Sequence, residues 1–343
     1  MHSVDSAAVS FFSQYDCDFD LLCAQLPAGR KGAIAGRNIS LLENRSQLDD
    51  YSHIVFWGDF LNNPVYGAQD FSKKDTRLGF SASLDAGYER WQDLFTFRDN
   101  PAQARVVSVG NNFQHDFTRR RNKFVPPLQR MAQEFTAFLP RDPFSTRNLS
   151  RFFEFGTLNK IRQGMDCAFL LDGRKGETEN TFSYFFGRSG FQGIDTLISQ
   201  IEAATGLKPT HVENWFRLQP HNADSEFEKM RQKIAKSRFV ITDTYHFAIN
   251  SFVLGVPVIG MGRTQTMQRG TGGDFKKRTL FEMLGQSDRY FEALDEDDAA
   301  FFSRVVEHCF ETDLILRDNP SRLFLIDELR QKYRRDVAEA VFG

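Results

Sequence analysis

Cysteine is scarce: Cys17, Cys23, Cys167 and Cys309 are the four in 343 residues, and none falls in a CxxC pair or a Cys/His metal spacing. That argues against a disulfide framework or a zinc ribbon and points to free thiols in a reducing compartment. Long apolar runs are missing as well. The longest, around Phe247 to Met261, is interrupted by Asn250, Ser251 and Pro257 and falls short of the ~20 residues a membrane helix needs. Met1-His2-Ser3-Val4-Asp5 has neither the basic n-region nor the apolar stretch of a signal peptide. Charge of one sign is absent too: 43 basic residues meet 45 acidic ones, for a net charge of −2. That balance argues against nucleic acid as the main partner, because phosphate binding leaves a basic footprint. His211 and His221 have no carboxylate at ligand spacing, and Asp295 to Asp298 lacks the glycine and spacing of a calcium loop. The expectation is a soluble cytoplasmic protein with no transmembrane segment, no metal and no cofactor.

What is abundant is phenylalanine, 36 residues of it, which implies a bulky aromatic core. Single cores usually stop growing near roughly 250–300 residues, so a chain of this length is expected to form two domains. The second half alternates strand and helix signals. Thr181 to Phe186 is β-prone and ends in Gly187-Arg188-Ser189-Gly190. Ile194, Leu197, Ile198 and Ile201 then recur at helical spacing and stop at Gly206. His211 to Phe216 reads as a short strand, the Phe227 to Ala235 segment as a helix, and Phe239-Val240-Ile241 as a buried strand. A helix from about His246 to Leu254 ends at Gly255, and Val256 to Gly260 begins the next strand. Such alternation with apolar strands is the mark of a parallel sheet covered on both faces.

The first half has strand candidates at His53 to Trp57, Arg105 to Val109 and Ala168 to Leu171. The polar, turn-rich segment Asp172 to Asn180 suggests a boundary, giving domains 1–175 and 176–343, and Asn319 to Val341 reads as a long amphipathic helix in the second. The expected fold class is α/β, two Rossmann-like doubly wound domains with a ligand in the cleft outside the carboxyl ends of their sheets.

The segment with most chemical content is Ser237 to Phe247, where a strand delivers Asp243, Thr244, Tyr245 and His246 to a helix start. Helix N-termini favour anions, and imidazole is the side chain suited to proton transfer near neutral pH. The plainer alternative is that Asp243 caps the helix and His246 is a first-turn residue with no further role.

ITDTYHFAINSFVLGVPVIGMG resembles the C-terminal signature of polysaccharide pyruvyl transferases, in which a strand ends in an acidic and histidine-bearing turn before a helix and a Gly-x-Pro strand. Asp243, Thr244, Tyr245, His246, Gly255, Pro257, Val258 and Ile259 are the matching positions. The run from Asp50 to Pro64, Arg141 to Ser145, and Met165 to Leu171 are similar to first-domain elements of that family, in its order. His2 to Ala8 is similar to its Asn-x-Gly-Asp-x-Ala loop, although the glycine-rich first loop itself is not evident. The chain departs from the pattern at Cys167, where proline is usual, and at Thr244, where one branch has an arginine.

The resemblance implies a GT-B-like architecture and formation of a pyruvate ketal on a sugar of a surface or exopolysaccharide precursor, with phosphoenolpyruvate as donor. It implies a catalytic His246 assisted by Asp243. Arginine forks suit carboxylate and phosphate, so Arg141, Arg188 and Arg263 are candidate donor ligands together with Thr244 and Tyr245, each arginine being otherwise a solvated charge. Asp59, Asn62 and Asn63 are candidates for reading acceptor hydroxyls, or else belong to an ordinary turn. Arg263 to Arg278 reads as a lid or as a surface loop. The implied partners are phosphoenolpyruvate and a glycan or lipid-linked saccharide acceptor, and two other functions stay open: a glycosyltransferase using a nucleotide sugar, for which Glu213 and the turn at Gly187 would serve, and a non-catalytic relative that binds glycan or acts as an assembly partner.

Overall fold

A computed structural model describes residues 2–26, 32–97, 104–115, 117, 121–173, 175–218, 222–263, 275–294, 296–310 and 319–343. Most of the Arg263 to Arg278 stretch (264–274), His221 and Asp295 lie outside the described residues. The chain is mixed α/β with parallel sheets. It divides into two compact units, Met1–Leu170 with Lys332–Gly343 and Leu171–Gln331, where the sequence suggested a single division after residue 175.

In the first unit, helix α1 (His2–Phe12) precedes a small sheet of β1 (Leu21–Cys23), β2 (Gly32–Ile34) and β3 (Arg37–Leu41). The main sheet follows as β4 (His53–Asp59), β5 (Arg105–Asn111) and β6 (Ala137–Leu139), all parallel and in that order. The unit's longer helices after β4 include α2 (Leu84–Phe95), α3 (Arg121–Glu134) and α4 (Pro143–Ser150). The phenylalanines build the core: Phe56 stacks on Phe135 at 5.4 Å and Phe135 on Phe138 at 5.0 Å. The strand expected over Ala168 to Leu171 is instead a 3-10 turn, Cys167–Leu170. Asp166 causes this by accepting the Ala168 amide on its side chain and the Phe169 amide on its carbonyl, 2.9 and 3.0 Å. An aspartate that closes its own turn overrides the β preference of a four-residue apolar run.

The second unit holds a five-stranded parallel sheet. Its elements run β7 (Thr181–Phe185), α5 (Ile194–Thr205), β8 (Lys208–His211), α6 (Ala223–Ala235), β9 (Val240–Thr242), α7 (Tyr245–Val253), β10 (Val258–Arg263), α8 (Phe275–Met283), β11 (Tyr290–Ala293) and α9 (Asp298–Phe310). The last helix, α10 (Asn319–Phe342), begins here and ends in the first unit. Val240, Ile241, Thr242 and the Val258 to Gly262 run are all buried, as central parallel strands covered on both faces must be. Gly206 ends α5 with φ 69°, a conformation open to glycine without strain.

Strand order in this sheet is β11-β10-β9-β7-β8. Counting from β7, that is 2-1-3-4-5 read from the β8 edge, the doubly wound arrangement whose chain direction reverses between its first and third strands. The reversal therefore falls between β7 and β9. Ligand sites of open parallel sheets lie at such a point, outside the carboxyl ends of the strands.

Candidate functional site

At the carboxyl end of β9 the chain passes through Asp243 and Thr244 into α7. Asp243 is 1% exposed, and its carboxylate accepts the amides of Gly187, Arg188 and Ser189 at 2.9, 2.8 and 2.6 Å. It thereby ties β9 to the loop after β7 across the switch point. The Thr244 hydroxyl donates to the same carboxylate at 3.0 Å, so it does not cap the helix, although Thr244 is the N-cap residue. These four bonds make Asp243 a positioning group. The amides of the Gly187 to Ser189 turn are thereby filled by this carboxylate.

His246 is the second residue of α7. Every other residue of that helix is buried, and His246 is the one left partly accessible. Its ring meets Tyr245 edge-on at 5.3 Å. Thr244 and Tyr245 are 3% and 7% exposed, and Tyr245 carries the Lys276 ammonium 5.2 Å from its ring centre.

Lys277, which the sequence placed within the Arg263 to Arg278 lid or loop, is buried beneath this edge. Its Nζ donates to Ser189 Oγ, to the Asp243 carbonyl and to the Met261 carbonyl at 2.8, 2.8 and 2.9 Å. One ammonium thus holds the ends of β9 and β10 and the loop after β7. No sequence pattern announces this role, since its three acceptors come together only in the folded sheet.

The three candidate arginines differ. Arg263 bonds the Ser189 carbonyl at 3.1 Å, pairs with Asp298 and sits 4.4 Å from the Phe191 ring centre. Arg141, in the first unit, is 1% exposed and faces the carboxylates of Asp59, Asp142 and Asp166 at 3.2, 3.7 and 3.9 Å. Three carboxylates around one guanidinium leave that cluster net negative, which disfavours a second anion. Arg188 is exposed, makes no ion pair with any described residue, and lies 4.2 Å from the Phe216 ring centre. Of the three, only Arg188 presents a charge that no described carboxylate neutralises.

Asp59 ends β4 in the left-handed region at φ 43°, after Gly58 at φ 83°. A Cβ on Gly58 would lie 2.4 Å from Val4 Cγ1, so glycine is needed for α1 to pack here. The Asp59 carboxylate keeps 22% exposure. Asp5 lies in the first turns of α1, and burial, with Asp59 adding to it, pushes its carboxyl up to about 6. The sequence likened His2 to Ala8 to a loop, where the structure has the helix α1. Asn62 and Asn63 are fully buried and spent on the fold. Asn62 bonds the Phe95 carbonyl and the Ser108 hydroxyl at 2.8 and 2.7 Å. Asn63 caps the next turn through the Val65 amide and bonds the Asn112 carbonyl, both at 2.9 Å. Neither amide is left to read a sugar, contrary to the sequence expectation.

These features define an α/β protein with a histidine-bearing helix at the switch point of a parallel sheet. The polysaccharide pyruvyl transferase family model matches residues 97–265, a stretch that contains Arg141, Arg188, Asp243 to His246 and Arg263 but not Asp5 or Asp59. The family is one of transferases and implies a glycan acceptor. No curated protein sequence matches the chain. Among solved structures, a functionally uncharacterised protein from Klebsiella pneumoniae subsp. pneumoniae covers 82% of this chain and 84% of its own at 13% identity and a TM-score of 0.40. TarM covers 72% of this chain and 52% of its own at 10% identity and a TM-score of 0.37. Among the described residues no helix is long and apolar enough to cross a membrane.

Proposed function

We propose that the chain forms a pyruvate ketal on a sugar of a glycan precursor, with phosphoenolpyruvate as donor, and that the GT-B-like reading of its two units goes with that activity. The observation that carries the reading is His246, the one partly accessible residue on a buried helix at the sheet's switch point, inside the family match.

The chemistry asks for one proton donor and one cation. His246 protonates C3 of the enol, so that C2 becomes an oxocarbenium-like electrophile. A sugar hydroxyl adds to C2 and gives up its proton. Phosphate leaves with the C2–O electron pair, and a second hydroxyl closes the ketal. One hydroxyl proton is retained on C3 and the other leaves with phosphate. Arg188 meets the donor's anionic groups, because its guanidinium has no carboxylate partner among the described residues. Thr244 and Tyr245 fix the backbone that presents His246, and Arg263 holds the neighbouring strand end. Asp59 keeps an accessible carboxylate and is the candidate for binding an acceptor hydroxyl.

Phosphate release from phosphoenolpyruvate in the presence of diol-bearing glycan precursors tests the reaction. Binding of uridine or cytidine nucleotides in place of phosphoenolpyruvate would instead favour the nucleotide-sugar transferase. Binding of glycan with no turnover of either donor would mark a non-catalytic relative.

A further inference from the structure

We infer that Phe216 is a positioning residue that holds the Arg188 guanidinium for the donor's anionic groups, a role that rests on Arg188 being a donor ligand. Phe216 is 45% exposed, and Arg188 stands 4.2 Å from its ring centre. The ring reaches over the turn that carries Arg188: a Cβ on Gly187 would lie 3.3 Å from it.

The support for the ring is fixed. Asn214 adopts φ 61°, and the Arg217 amide closes the turn on the Asn214 carbonyl at 2.7 Å. Trp215, 8% exposed, anchors that turn edge-on against Phe247 at 4.9 Å, and Phe247 directly follows His246 in α7. Phe185, at the end of β7, meets Phe216 edge-on at 5.1 Å. The ring is therefore tied both to the helix that carries His246 and to the strand that leads to Arg188.

The Arg188 amide is already committed to Asp243, so its side chain is what remains to meet an anion. A contact with an aromatic ring uses none of the guanidinium N–H donors. It narrows the rotamers of an exposed arginine before binding, which lowers the ordering cost when an anion arrives.

Calorimetric titration with phosphoenolpyruvate of wild type, Phe216→Leu, Phe216→Tyr, Arg188→Ala and the Phe216→Leu/Arg188→Ala double variant tests this. Phe216→Leu should weaken binding about two- to fivefold, the size of an exposed cation–π contact. Phe216→Tyr should retain wild-type affinity, and Phe216→Leu should add nothing once Arg188 is alanine. An unchanged Phe216→Leu affinity, a tyrosine variant as weak as leucine, or a loss that persists in the Arg188→Ala background overturns the role. Wild type that does not bind phosphoenolpyruvate overturns the donor reading, and this role with it. Wild type that binds normally beside an unaffected Phe216→Leu removes only Phe216.

Discussion

The Asp243 carboxylate, at the end of β9, receives the Arg188 amide at 2.8 Å together with the amides on either side of it. This joins the two strands between which the sheet reverses direction. Asp243→Asn keeps one acceptor oxygen but turns an NH2 group toward amides that need acceptors. Leaving at least one buried amide unpaired costs about 1–3 kcal/mol. The variant should unfold at lower denaturant and bind phosphoenolpyruvate more weakly, while the pH profile of its residual kcat keeps the wild-type shape. A profile that shifts would make Asp243 a proton-transfer partner of His246 rather than the organiser of the turn.

His246→Ala removes a partly accessible side chain from a helix whose packing is carried by its other eight residues. Turnover should fall by ~10²–10⁴-fold, the range for loss of a general acid. The unfolding free energy should fall by no more than about 1 kcal/mol, because the other eight residues keep the helix packed. Phosphate release and a chemical denaturation curve measured on one preparation check both halves. A folded variant with wild-type turnover would end the assignment.

Asp5 supplies a prediction in pH. Its carboxyl is raised from 3.8 to about 6, by burial first and by the charge of Asp59 in addition. The folded state thus holds this proton more tightly than the unfolded state does. Its stabilising contribution is fully present below pH ~4 and is lost as pH rises through 6, a change of about 3 kcal/mol. Asp5→Asn should therefore raise the unfolding midpoint at pH 7.5 and change it little at pH 4. Denaturant titrations at the two pH values make the comparison, and equal effects at both would show that Asp5 carries no raised affinity for its proton.

The second unit was largely legible because its signals are local. Apolar triplets gave β9 and the start of β10, the spacing of Leu197, Ile198 and Ile201 gave α5, and Gly206 and Gly255 marked the helix ends. His211 to Phe216 misled, since the strand ends at His211 and Asn214 turns the chain, which hid Phe216 as a ring beside Arg188. The asparagines misled for another reason. Asn62 and Asn63 look like sugar-reading polar residues after a strand, but their partners Phe95, Ser108 and Asn112 lie 33 to 49 positions away. Arg141 likewise reads as an anion ligand until Asp59, Asp142 and Asp166 are seen around it. Pairings of that range leave no periodic trace in the chain.

Lys277 offers the sharpest test of how the edge is held. Its buried ammonium satisfies three oxygens, one each from the loop after β7, the residue after β9 and the strand β10. Lys277→Met keeps much of the stem's volume but strands Ser189 Oγ and the carbonyls of Asp243 and Met261 without their donor. Hydrogen bonds to a charged group contribute about 1.5–3 kcal/mol each, and the desolvation of the ammonium itself offsets part of that. The expected loss is on the order of 3 kcal/mol, read as a lower urea midpoint. Because Ser189 and Asp243 flank Arg188, the same variant should also weaken phosphoenolpyruvate binding in the fraction that remains folded. If stability falls while affinity holds, the clamp supports the sheet alone. If both fall together, the turn that carries Arg188 depends on this one lysine for its place.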